Sequence, residues 1–150
     1  MHSLKKFGLA AALVLVALQT SVLAAPVWVT GLPAAQAQAK KENKLVLINF
    51  TGSDWCGWCK RLQKEVFTTK EFEQYAKDNV VLVEIDFPDK KPQTKELKAA
   101  NEALQGKFKA EGNPTIVVLS KDGKEVWRQE GYLAGGPTAW IEKLNAARKK

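Results

Sequence analysis

A chain of 150 residues is enough for one domain and too short for two comfortable ones. Its formal charge of +7 comes from lysines scattered along the whole sequence, with no basic stripe interleaved with aromatics, which fits a solvated basic surface and argues against a nucleic-acid partner. With 2 cysteines and 1 histidine, the chain falls short of the four ligands of a structural zinc site, so neither a metal nor another cofactor is expected.

The first segment has the layout of a secretory signal. Lys5 and Lys6 precede an apolar run from Phe7 to Leu18, and Val22-Leu23-Ala24 ends in small residues. Cleavage is expected after Ala24, leaving residues 25–150 as the folded domain and removing His2. Gln19, Thr20 and Ser21 interrupt the apolar run, which argues against an uncleaved anchor. No later segment is apolar enough to span a membrane. Export to the periplasm, or secretion, places the domain in an oxidising compartment.

Pro26 to Thr30 reads as a short edge strand. Leu32 to Asn43 reads as a helix entered at Pro33. Leu45 to Phe50 is an apolar run that predicts a strand covered on both faces. It contains Asn49-Phe50-Thr51, a glycosylation sequon read as chance because the strand is buried. Thr51 to Asp54 turns the chain into Trp55-Cys56-Gly57-Trp58-Cys59-Lys60, which holds both cysteines. The residues up to Phe67 predict a helix with Leu62, Val66 and Phe67 on one face. Thr68-x-x-Glu71 resembles a capping box for a second helix, Lys70 to Lys77.

Val80 to Asp86 is the next strand, and Phe87 to Thr94 a loop. Lys95 to Ala110 predicts a helix whose Leu97, Ala100, Leu104 and Phe108 form a core-facing stripe. Thr115 to Leu119 and Glu125 to Gln129 are strands joined by the turn Lys121-Asp122-Gly123-Lys124. Gly135-Gly136-Pro137 opens a last helix carrying Trp140, Ile141 and Leu144 inward. Alternating strands and helices, then a hairpin and a helix, predict an α/β domain: a mixed sheet with helices on both faces.

Two cysteines separated by two residues can cycle between dithiol and disulfide without rebuilding the fold. Cys56 is expected where a strand hands over to a helix. There, unpaired N–H groups and the helix dipole favour a thiolate, which is a chemical reason for a reactive cysteine. A static structural disulfide is the competing reading; so small a loop removes little unfolded-state entropy. A copper-handling thiol pair lacks Met or His ligands nearby.

These features together resemble the thioredoxin superfamily, and in particular exported bacterial thioredoxin-like proteins. The matching pieces are Phe50 to Lys60, the strand Val80 to Asp86, and Gly112-Asn113-Pro114-Thr115 followed by an apolar strand and a Lys-Asp-Gly hairpin. The resemblance implies a thioredoxin fold with a central mixed sheet of about four to five strands. It implies that Cys56 is the exposed attacking thiol and Cys59 the resolving thiol. It also implies that Pro114 is cis and holds substrate backbone beside Cys56, that Asn113 shapes that contact, and that Trp55 flanks the site. Trp58, between the cysteines, is expected at the surface.

Thioredoxins carry a buried Asp where this chain has Asn49, a Lys where it has Leu82, and Gly-Pro where it has Gly57-Trp58. The first two differences shift proton handling at Cys59 to solvent or to Asp54 or Glu84 as candidate groups. The expected activity is thiol-disulfide exchange with disulfide- or thiol-containing protein substrates, as reductant rather than oxidant, served by an envelope electron donor or acceptor. The alternative is a thioredoxin-fold binding or chaperone module, or a disulfide isomerase, in which the redox pair is accessory.

Overall fold

The computed structural model describes residues 24–150. The signal expected over residues 1–24 therefore lies, apart from Ala24, outside the described residues. Five strands form one sheet: β1 (Trp28–Val29), β2 (Leu45–Thr51), β3 (Val80–Asp86), β4 (Thr115–Leu119) and β5 (Glu125–Glu130). Their order is β1-β3-β2-β4-β5. β3 runs parallel to β1 and β2, whereas β4 is antiparallel to β2 and β5. The helices are α1 (Leu32–Glu42), α2 (Gly57–Leu62), α3 (Lys70–Asn79), α4 (Lys95–Phe108) and α5 (Gly136–Ala147), with a π-helical turn, Gln63–Phe67, continuing α2. This is the mixed α/β architecture of the thioredoxin fold.

Every residue of β2 is buried, because helices cover both faces of the sheet. Strand alternation then sorts its side chains. Leu45 and Leu47 join Leu62, Val66, Phe67, Phe72, Trp140 and Leu144, from α2, the π turn, α3 and α5. Val46, Ile48 and Phe50 join Leu32, Ala35 and Ala39 of α1 on the other face. β3 divides the same way, with Val80 and Leu82 on the α2 side and Val81, Val83 and Ile85 on the α1 side.

Four local expectations are corrected. The segment after Cys59 is not one α-helix, since it widens into the π turn at Gln63. The Thr68 N–H reaches back five residues to the Gln63 carbonyl (3.0 Å), and the Thr68 hydroxyl donates to the same oxygen (3.0 Å). The wider turn lets the consecutive Val66 and Phe67 both enter the core. Thr68 is thereby occupied, and Thr69 caps α3 instead by accepting from the Phe72 N–H at 3.3 Å.

The α4 stripe is a core face only in part: Leu104 and Phe108 pack against the cluster on the α1 side, the Phe108 ring centroid 6.1 Å from that of Phe50. Leu97, Leu104 and Phe108 are half-buried, Ala100 is exposed, and the one buried side chain is Asn101, whose amide donates to the Asp86 carbonyl at 2.9 Å. α4 lies at the margin of its face and stops at Phe108, where Lys109 turns left-handed (φ 52°). Ile141 of α5 is likewise half-buried, although Trp140 and Leu144 are fully enclosed. The turn into α5 needs Gly135: its φ is 108°, and a Cβ there would sit 2.7 Å from the Ala139 methyl.

Candidate active site

β2 delivers the chain to the top of the sheet, where Gly52 accepts the Cys56 N–H (2.9 Å) and starts the turn. Cys56 is the N-cap of α2, in extended conformation. Its sulfur accepts the Cys59 N–H at 3.2 Å, which satisfies one of the otherwise unpaired donors of the first turn. The two cysteines form a disulfide with Cα atoms 5.2 Å apart. The geometry places a polarising N–H and the helix dipole on the Cys56 sulfur, which favour its thiolate on reduction.

The Asn113–Pro114 peptide bond is cis, and the Asn113 carbonyl oxygen lies 3.6 Å from the Cys56 sulfur. Gly131 N–H donates to the Pro114 carbonyl at 2.8 Å, which ties the segment to the chain after β5. The Asn113 side chain, oriented to satisfy its neighbours, donates to the carbonyls of Phe50 and Gly112 at 3.2 Å each. It therefore braces the loop, while its main-chain carbonyl faces the sulfur.

Exposure does not separate the cysteines in this disulfide form: Cys56 is 6% exposed and Cys59 4%. The expected open position of Cys56 is corrected accordingly, the Asn113 segment standing against its sulfur. The difference between the thiols is one of surroundings. Cys56 borders the Pro114 loop, and Cys59 backs onto a cavity beneath α2 that Glu84 also lines.

Trp55 and Trp58 flank the pair, 51% and 55% exposed. The Trp55 indole N–H donates to the Phe87 carbonyl (2.7 Å), and its ring lies over Gly52, where any Cβ would overlap it. Trp58 packs against Tyr132, with ring centroids 5.5 Å apart. The Arg61 guanidinium lies 4.8 Å from the Tyr132 ring centre and 5.5 Å from that of Trp58, while Arg61 Nε donates to Glu65 at 2.8 Å. Tyr132 also donates its hydroxyl to Glu65. That hydroxyl, followed by Arg61, lowers the Glu65 carboxyl below its ordinary range.

Of this cluster the sequence reading named only Trp58. Arg61 and Glu65, four apart on one helix, carried a visible pairing signal. Tyr132 carried none, because its place depends on how β5 returns to the Pro114 loop.

Asp54 and Glu84 differ in kind. The Asp54 carboxylate accepts the backbone N–H groups of Asp89, Lys90 and Lys91 at 2.8–3.0 Å, and these bonds pull its carboxyl down to about 2. Asp54 is thus a clamp on the loop after β3, too weak a base near neutrality to take a thiol proton. Glu84 is half-buried. Burial, then the neighbouring Asp86 charge, raise its carboxyl above the usual range, with Lys91 opposing. Ser53, which the sequence reading passed over, holds Asp86 by its backbone N–H (2.9 Å) and its hydroxyl (2.5 Å).

Leu82 is 1% exposed and pairs with Leu47, so that position is part of the core. The described residues contain no helix long and apolar enough to cross a membrane.

Comparison with known proteins agrees with this arrangement. A disulfide bond reductase, DsbH, of Chlamydia pneumoniae is 35% identical over 115 residues, 77% of this chain and 69% of that protein. A solved DsbH oxidoreductase structure superposes with a TM-score of 0.77 at 28% identity, covering 98% of this chain and 95% of the other. The thiol:disulfide interchange protein DsbD of Vibrio cholerae is 33% identical over 108 residues, 71% of this chain, which spans only 16% of that longer protein. Residues 32–147 match the thioredoxin-like domain model. The chain therefore belongs to the thioredoxin superfamily and is a thiol-disulfide oxidoreductase.

Proposed function

We propose that this protein is an exported reductase of protein disulfides, acting in the periplasm. The observation that carries the reading is the placement of Cys56: helix cap, acceptor of the Cys59 N–H, and neighbour of the Asn113 carbonyl that leads into Pro114. Thiolate Cys56 attacks a substrate disulfide, forming a mixed disulfide and releasing one substrate thiolate. Cys59 then attacks Cys56, releases the second substrate thiol and leaves the Cys56–Cys59 disulfide, so two electrons pass to the substrate. Asn113 and Pro114 offer backbone to the substrate chain, and the indoles of Trp55 and Trp58 supply apolar contact beside it.

The direction, reduction, is supported by the likeness to a protein named as a disulfide bond reductase. Export is supported by the charged, apolar and small-residue succession of residues 1–24. In an oxidising compartment the pair needs an envelope electron donor to return it to the dithiol after each turnover.

One observation favours a second reading, a binding or chaperone module with an accessory pair. Two tryptophans stand more than half exposed on one rim. Replacing both cysteines with serine separates the two. The reductase reading expects reduction of a model protein disulfide by the variant to fall to the uncatalysed level, with no retained suppression of aggregation. A double variant that loses reduction but still protects unfolded clients at the wild-type level would favour the module.

A further inference from the structure

Glu84 is an ionisable group beneath the redox helix, on the same pocket as Cys59. In the sheet register Asn49 of β2 lies beside Glu84 of β3, two residues on from the Leu47–Leu82 pair. Leu47 and Leu82 both pack on the α2 side, so strand alternation sends Asn49 and Glu84 to that side as well. Between sheet and helix a cavity of about 330 Å³ is lined by Thr51, Cys59, Lys60, Gln63, Lys64 and Glu84, among others. It is large enough to seat water between the carboxylate and the sulfur.

We propose that Glu84 accepts the Cys59 proton when the mixed disulfide is resolved, directly or through one water in this cavity. The inference rests on the reading of Cys59 as the resolving thiol. The Cys59 S–H proton passes to the Glu84 carboxylate. Cys59 sulfur bonds to Cys56 sulfur as the bond from Cys56 to the substrate sulfur breaks. The substrate leaves as a thiolate and is protonated by water, and Glu84 then returns its proton to water. No external oxidant or reductant enters this step.

The neighbours leave Glu84 as the acceptor. Asn49 is a buried amide with its oxygen unpartnered, and an amide does not take a proton at these pH values. Asp54 is held by three amides, and Asp86 by Ser53. The other charged groups facing Glu84 are Lys60 of α2, Lys64 of the π turn and Lys91 of the loop after β3, while β2 presents only Asn49 and Thr51. The upward displacement of the Glu84 carboxyl moves it toward the thiol range and makes it a stronger base.

The test is stopped-flow oxidation of the reduced protein by a chromogenic aromatic disulfide between about pH 5 and 9, a range that brackets ordinary thiol ionisation. The first thiolate released reports attack by Cys56, and the second reports resolution by Cys59. Glu84→Gln is expected to leave the first phase unchanged. It should slow the second about tenfold or more near pH 6–7, a modest share of the usual worth of a positioned base. The deficit should close toward pH 9, where the thiol ionises unaided, and Glu84→Asp should restore part of the rate.

In the unsubstituted protein, the Glu84 carboxyl followed by carbon-13 NMR should titrate differently in the dithiol and disulfide forms. That measurement decides alone if the glutamine variant does not fold. A superimposable second phase, or one slowed equally at every pH, overturns the role of Glu84 while leaving Cys59 as resolver. Absence of a second phase in the unsubstituted protein removes both readings.

Discussion

Cys59→Ser is expected to accumulate mixed disulfides with client proteins, whereas Cys56→Ser forms none. The asymmetry follows from the surroundings of the two sulfurs. Cys56 caps α2 and accepts the Cys59 N–H, so its thiolate is stabilised, and it borders the Pro114 segment where a substrate chain would lie. Cys59, one turn in, faces the cavity shared with Glu84. Without Cys59 the first exchange proceeds and the second has no nucleophile, so the covalent intermediate persists. Without Cys56 the first exchange does not begin, and turnover falls to the background rate. Non-reducing electrophoresis and intact mass after incubation with a disulfide-bearing protein read both outcomes. Equal trapping by the two variants, or faster alkylation of Cys59 than Cys56 in the reduced protein, would contradict the assignment.

The largest effect on stability is expected at Trp140. It is fully buried in α5 and meets Phe67 edge-on (centroids 5.4 Å apart) and Trp127 of β5 edge-on (5.2 Å). Phe67 ends the helical segment that begins at the redox pair, so this contact anchors that segment to the sheet and to α5. Trp140→Ala should cost about 3–5 kcal/mol through lost burial and the cavity left behind. That cost corresponds to a fall in Tm of roughly 10–20 °C for a domain of this size.

Trp140→Phe should cost much less. The Trp140 indole N–H is buried without a partner, so removing it recovers part of a desolvation cost of about 1–3 kcal/mol and offsets some of the lost volume. Urea and thermal unfolding of both variants measure the difference. A loss under about 1 kcal/mol in the alanine variant would show that the site collapses around the gap.

What was legible in the sequence was what is local. The uninterrupted apolar run of β2, the Lys-Asp-Gly turn and the glycine-proline start of α5 each express a short-range constraint, and each element is where those constraints put it. The helix cap at Cys56 was legible for the same reason: strand, turn and helix follow one another within a few residues.

What was illegible depends on register and on pieces distant in the chain. That Glu84 lies beside Asn49 follows from the alignment of β2 against β3, which no single segment encodes. Tyr132 reaches Trp58 and Arg61 only because β5 returns alongside the Pro114 segment. The π turn depended on one threonine bonding back to Gln63 rather than capping forward, two uses open to the same hydroxyl. Asp54 carried the right chemistry for a base. Its three amide partners come from a loop 35–37 residues away and turn it into a clamp.

The reading of this protein as a reductant is tested most directly by the reduction potential of its cysteine pair. The protein is equilibrated with mixtures of reduced and oxidised glutathione, and the dithiol fraction is counted by thiol alkylation and intact mass. A reductase predicts a single two-electron transition more reducing than about −230 mV, toward the thioredoxin end of the scale. A midpoint near the strong-oxidant end, about −120 mV, would make the pair a disulfide donor, and a disulfide that does not open in any glutathione mixture or in excess dithiol would make it structural; either result would contradict the function proposed here.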